Sequence, residues 1–258
     1  MFDIVNRSTC SVNHVNGEHI FNVLELNSSE FDNLKSDLVS ILPSQYIDPN
    51  SIADVLSRLG KDAAAQKLRD KIPLVKKIRS GDIGELLTAD YIKEETDFMV
   101  PIKKLRWRDH RDMAMRGDDV IGIFVNPSDQ SVRFLKAEAK SYQSLSTAVL
   151  NKAREELDND GGLPAPHALA FVIDRLKEIR ETTLANLLEK VQLVDGINAN
   201  QVEHLLFTFT SSNPATLQRT AFDNYNGNIK QTSIGFKVDN HQRLISEVYQ
   251  GVIDANNS

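Results

Sequence analysis

Apolar and polar positions alternate most clearly between residues 115 and 142, MRGDDVIGIFVNPSDQSVRFLKAEAKSY. Two alternating runs, Asp119 to Val125 and Val132 to Lys140, flank Asn126, Pro127, Ser128, Asp129, Gln130 and Ser131. Those turn residues reverse a chain more readily than they extend it, so the pattern predicts a β-hairpin. If the turn closes symmetrically, Val125 pairs with Val132 and Asp119 lies opposite Glu138.

The remaining pattern sorts into helices and further strands. His19 to Leu26 has strand composition, and Phe31, Leu34, Leu38 and Leu42 recur at helical spacing. Pro43 and Pro49 bracket a predicted loop. Ser51 is a predicted N-cap for a helix ending at Leu59, with Gly60 as its stop. Asp62 to Lys71 is rich in helix formers. After Pro73, Ile83, Leu86, Leu87, Ala89 and Tyr91 mark the apolar stripe of a helix over about Leu74 to Glu94. Phe98 to Ile102 reads as a short strand and Thr147 to Leu157 as a helix. His167 to Asp174 is a continuous apolar run of the length expected for a strand covered on both faces. Asp174 then caps a helix over Leu176 to Leu193. Gln201 to Thr210 reads as a buried strand, and residues 211 to 240 as Ser-, Asn-, Thr- and Gly-rich connection with a turn at Tyr225 to Asn228. His241 to Ile253 reads as a terminal helix, with fraying expected over Asp254 to Ser258. This order implies an α/β sandwich with a mixed sheet flanked by helices. Residues 1–73 read as a small N-terminal α+β lobe, a covering or partner-interaction element, and residues 74–258 as the main domain.

Composition narrows the class. The hydrophobic share of 41% and charged share of 26% over 258 residues are those of a soluble globular chain with a sizeable core. Cys10 is the only cysteine, which excludes an internal disulfide or a cysteine-rich zinc site and fits a reducing cytoplasm. No run approaches the ~20 apolar residues that cross a bilayer, and no signal pattern opens the chain, so a cytoplasmic protein without a membrane role is expected. A chain that grips nucleic acid alone is usually basic; the formal charge of −6 implies a localised basic surface or a partner that supplies the grip.

The hairpin carries the candidate chemistry. Directly opposed residues sit roughly 5 Å apart at Cβ, and Glu138 and Lys140, two apart, share one face. Two carboxylates and an ammonium therefore converge at one end of the hairpin. Adjacent carboxylates repel unless a proton or cation lies between them, and hard oxygen ligands favour Mg²⁺ or Mn²⁺. A neighbouring lysine can orient a water or offset charge on a phosphate. Upstream, Lys103 to Arg116 is the most basic stretch, with Arg106, Arg108, Arg111 and Arg116 around Trp107 and His110. Such a segment suits phosphate contacts and base stacking, or else pairs locally with Asp109 and Asp112. Gly84 weakens its helix, which either lets a strand approach so that Glu85 reaches the site or leaves Glu85 a solvated helix residue. His14 and His19 read as isolated surface histidines.

Asp119 followed across a hairpin by Glu138-Ala139-Lys140 resembles the core of the PD-(D/E)XK, restriction-endonuclease-like nuclease superfamily. Gly84-Glu85 is similar to that superfamily's helical glutamate, and Gln143 to a glutamine found after its lysine. Asp118 stands where the superfamily has proline; Asp119 is the chosen ligand because it shares the face of Ile121 and Ile123. More narrowly, RSGDIGELLTADYI, RGDDVIG and FLKAEAKSY resemble the HamA family of the Hachiman anti-phage system. The resemblance implies a Mg²⁺-dependent deoxyribonuclease with Asp119, Glu138 and Glu85 as metal ligands and Lys140 as catalytic lysine. It also implies a bacterial defence role and a HamB-like helicase partner that restrains cleavage. No small-molecule cofactor is expected: GxGxxG, Walker, HExxH and GxSxG motifs are lacking. The alternative is an inactive nuclease-fold module for protein or DNA binding, with Glu138 and Lys140 as a plain ion pair.

Overall fold

The structure, a computed structural model, describes residues 2–255. The chain opens with β1 (Ser8–Asn16) and β2 (His19–Leu26), an antiparallel hairpin. Four helices follow: α1 (Phe31–Ile41), α2 (Pro43–Tyr46), α3 (Pro49–Leu59) and α4 (Lys61–Lys71). The two prolines expected to bracket a loop instead occupy first helical positions, where a missing N–H costs nothing. The cap of α3 is Asp48, whose carboxylate accepts from Ser51 N, rather than Ser51. Gly60 ends α3 at φ +85°, as its position predicts.

The long helix α5 (Lys76–Glu95) leads to β3 (Val120–Val125) and β4 (Val132–Ser141). Their register runs from Val125↔Val132 to Val120↔Ala137, as the symmetric turn requires. Phe98 to Ile102 does not form a strand; only Met99 bridges to Ile123. After β4 come α6 (Thr147–Asp158), α7 (Pro166–Glu178) and α8 (Thr182–Lys190). The predicted strand at His167 to Asp174 is therefore the body of α7. Its buried positions, Ala168, Leu169, Val172, Ile173 and Leu176, follow helical spacing. Asp174 lies exposed within that helix and caps nothing. The predicted helix from Leu176 to Leu193 is split between the end of α7 and α8, and the latter runs into a wider turn over Val191–Asp195.

The strand β5 (Val202–Thr210) is buried as expected. The stretch expected to be connection holds α9 (Ala215–Asp223) and β6 (Lys230–Lys237) before α10 (His241–Ala255). Its polar composition hid a strand whose buried Gln231 accepts from Arg154 of α6, whose Ser233 accepts from Gln218 of α9, and whose Gly235 sits under Gln218 and Pro214. Helix α10 includes Asp254; the rest of the predicted fraying, residues 256–258, lies outside the described residues.

The described strands form one six-stranded sheet in the order β1-β2-β6-β5-β4-β3. The β2–β6, β6–β5 and β5–β4 pairings are parallel and the two outer hairpins antiparallel, so the expected mixed sheet is present. Helices α1, α5 and α10 cover one face; α6, α7, α8 and α9 cover the other. Residues 1–73 add β1 and β2 to this sheet, and Phe2, Ile4, Leu34, Leu38 and Tyr46 to the core shared with α5, β5 and α10. Among the described residues, no helix is long and apolar enough to cross a membrane.

Candidate active site

The ladder between β3 and β4 stops at Val120↔Ala137. One step beyond, Asp119 turns its carboxylate across to β4, where Oδ2 accepts from Ala139 N at 3.0 Å. The Asp119 carboxylate lies close enough to Glu138 to raise its pKa. Glu138 and Lys140 share one face of β4, and the Lys140 ammonium donates to Glu138 Oε1. The sequence thus places its acid pair and lysine together through the 2-residue period of one strand and the register of one hairpin.

The electrostatics follow from burial. Glu138 is 8% exposed, and burial, reinforced by the Asp119 carboxylate, pushes its pKa up to about 8 against the pull of Lys140. For Lys140, burial works against the charged form, but the Glu138 carboxylate outweighs it and raises the pKa, so the group stays an ammonium.

Glu85 approaches from α5 on the other side of the sheet. Gly84 lies over the end of β4, and a Cβ there would stand 3.1 Å from Ser141 Cβ and 4.0 Å from Ala139 Cβ. The close helix–strand approach expected of this glycine is present. Burial raises Glu85 to about 8; Asp119 and Asp82 add to the rise, while Lys104 and Arg108 oppose it. Among the described residues, no three His, Cys, Asp or Glu side chains stand in a cluster ready to share a metal ion. Asp119 with Glu138 forms the tight pair, and Glu85 sits within electrostatic reach of it.

Asp118 is engaged with other partners. Its Oδ2 accepts from Ala165 N at 2.8 Å, and its Oδ1 lies 3.6 Å from Lys136 Nζ. Lys136 also donates to Asn159 O at 2.8 Å and Leu163 O at 3.0 Å. Asp119, by contrast, reaches Ala139 beside Glu138.

A cavity of about 1010 Å³ opens beside this end of β3, with Glu85 and Asp119 on its wall. Lys104, Trp107, Arg116 and Phe171 also line it. The basic stretch is dispersed around this opening. Arg108 is buried at 5% exposure in a two-pronged pair with Asp82, which also accepts from Tyr46 Oη at 2.5 Å. Arg106 donates to Ser44 O at 2.9 Å and pairs with Asp48 at 3.5 Å. Arg111 reaches Arg69 O at 3.3 Å and Asp112 at 3.7 Å. Arg116 is exposed at the cavity, and the Gln143 side chain is exposed beyond β4. Of the four arginines, Arg116 is the exposed one; Arg108 holds the segment to α5.

Lys104, part of the basic stretch, donates from Nζ to Asp118 O at 2.9 Å; Lys136 escaped the sequence reading. Lys136 had a legible signal, since it shares strand parity with the inward-facing Phe134 and Glu138. His14 and His19 ring Phe222 edge-on rather than gather at the site.

A family model, HamA, matches residues 1–252 of the chain. The chain belongs to the HamA family. Its hairpin, acid pair and lysine all lie inside the matched region. A Hachiman protein HamA from Bacillus cereus is 27% identical over 120 residues, 46% of this HamA-family chain. The match spans 41% of that relative's length.

Proposed function

We propose that this HamA-family chain is a divalent-cation-dependent deoxyribonuclease with a PD-(D/E)XK-type core, acting in Hachiman anti-phage defence in the bacterial cytoplasm. The observation that carries the reading is the convergence of Asp119, Glu138 and Lys140 at the open end of one hairpin. Both carboxyls are crowded, and burial with mutual repulsion drives Glu138 to hold a proton in the absence of a cation. An oxygen-only donor set of this kind fits Mg²⁺ or Mn²⁺, held by Asp119 and Glu138 with Glu85 completing the site. The bound ion supplies Lewis acidity and an activated water.

The chain's own residues do the rest. Lys140, kept protonated by Glu138, offsets negative charge on the attacked phosphate and donates to the incoming water rather than deprotonating it. Arg116 and Lys104 draw the DNA backbone to the cavity, and Gln143 lies where a strand leaves the site. Arg106, Arg108 and Arg111 shape that surface through their bonds to the chain. With a net charge of −6, affinity for DNA is borrowed from a partner, a HamB-like helicase. Residues 1–73 present the surface for it.

The Lys140–Glu138 ion pair also suits a second reading, an inactive module in which that pair only stabilises β4. Cleavage of linear and nicked DNA with Mg²⁺ or Mn²⁺, with and without the helicase, separates the two. We expect Glu138→Ala and Lys140→Ala to lower cleavage by at least about a hundredfold while partner binding persists. Equal cleavage in wild type and both variants rejects the nuclease assignment.

A further inference from the structure

Of the two consecutive aspartates just before β3, Asp119 accepts from Ala139 N while Asp118 accepts from Ala165 N and pairs with Lys136, and Asp118 takes no part in the chemistry above. Its side chain is 6% exposed and that of Lys136 2%. Burying such a pair contributes little net stability, since desolvation roughly cancels the attraction; its characteristic return is a fixed geometry. The location of the pair is specific. Asp118 immediately precedes Asp119, and Lys136 lies two residues before Glu138 on the same face of β4.

Asp119 stands where the backbone ladder has already ended, so its strand is not held to β4 by paired peptide groups there. Asp118 supplies the missing restraint through its side chain. It grips Lys136 on β4 and Ala165 N on the turn before α7, while Lys136 grips the carbonyls of Asn159 and Leu163. Lys104 fastens the Asp118 carbonyl from the far side.

We propose that Asp118 and Lys136 are positioning residues that set the separation of the Asp119 and Glu138 carboxylates. The inference rests on the cation-holding reading above. The clamp touches neither a cation nor a phosphate; it acts by restricting where the two acids can stand. Replacing outer groups that orient metal ligands typically weakens binding 10- to 100-fold, which sets the expected effect.

The test uses the full chain and Mn²⁺ alone, titrated calorimetrically, beside circular dichroism and thermal melts. Asp118→Asn keeps an acceptor for Ala165 N, and Asp118→Asn/Lys136→Met removes both buried charges together, so folding is retained in at least one variant. We expect folded variants whose Mn²⁺ dissociation constant rises about tenfold or more, with a matching shift in the metal midpoint of cleavage. Variants that melt lower yet bind Mn²⁺ as wild type does overturn the proposal, because the clamp is then structural only. Asp119→Ala serves as the comparator. If wild type and Asp119→Ala bind Mn²⁺ equally or not at all, the acid-pair reading itself fails, and the clamp loses its purpose with it.

Discussion

Glu138 meets two opposing demands. Its strand buries it, yet its partner Asp119 and its neighbour Lys140 make its charge matter. In the metal-free chain the folded-state pKa of about 8 stands above the ordinary 4.5, so between those values the folded state binds more protons than the unfolded state. Stability therefore falls as pH rises through that window and levels off above it. Glu85, also raised to about 8, adds to the same slope. In chelator, Glu138→Gln should melt with wild type near pH 4.5 and several degrees above it at pH 8.5. A wild-type melting temperature that climbs across this window contradicts the assignment. The pair was readable beforehand because a hairpin with a symmetric turn leaves one register, and Glu138 and Lys140 have fixed parity. The environment of Arg108 was not, because its partner Asp82 lies 26 residues away on α5 and no local pattern links them.

Helix α5 and strand β4 meet over a glycine. The 3.1 Å approach of a Cβ at Gly84 to Ser141 leaves no room for a branched side chain. Gly84→Val should destabilise the fold by about 1–3 kcal/mol in urea unfolding and carry Glu85 away from Asp119, with cleavage falling further than stability alone explains. An unchanged unfolding midpoint would mean that the helix shifts without cost. Elements bounded by local signals, such as β2, α1, α4 and β5, could be placed from the chain directly. Two could not. In α7 a dense apolar run, Ala168 to Ile173, serves equally as a two-sided strand or a buried helix, and the deciding feature was Pro166 at its first turn. In β6 the buried positions Gln231 and Ser233 are polar, so the strand's alternation is invisible to a hydrophobicity pattern and depends on partners such as Arg154 of α6 and Gln218 of α9.

The whole molecule is organised by one sheet that takes strands from both ends of the chain. A break at residue 73 falls between helices, but Phe2, Leu24, Leu34 and Tyr46 belong to the same core as Phe207 and Phe236. Removing residues 1–73 strips β1 and β2 from β6 and opens that core. We expect residues 74–258 alone to lack a cooperative melt and cleavage activity; a cooperative melt from that fragment would show that the first strands are dispensable. That dependence was concealed in the sequence, since parallel pairing of distant strands leaves no local mark.

The β2–β6 pairing sets a schedule for synthesis. Glu25 aligns with Lys237, so β2, already paired with β1, must wait for β6 before its other edge can join the rest of the sheet. Contacts this distant in sequence close late. A nascent chain interrupted anywhere before Lys237 carries Asp119, Glu138 and Lys140 on an unfinished sheet, so completion of β6 becomes the first checkpoint on the site.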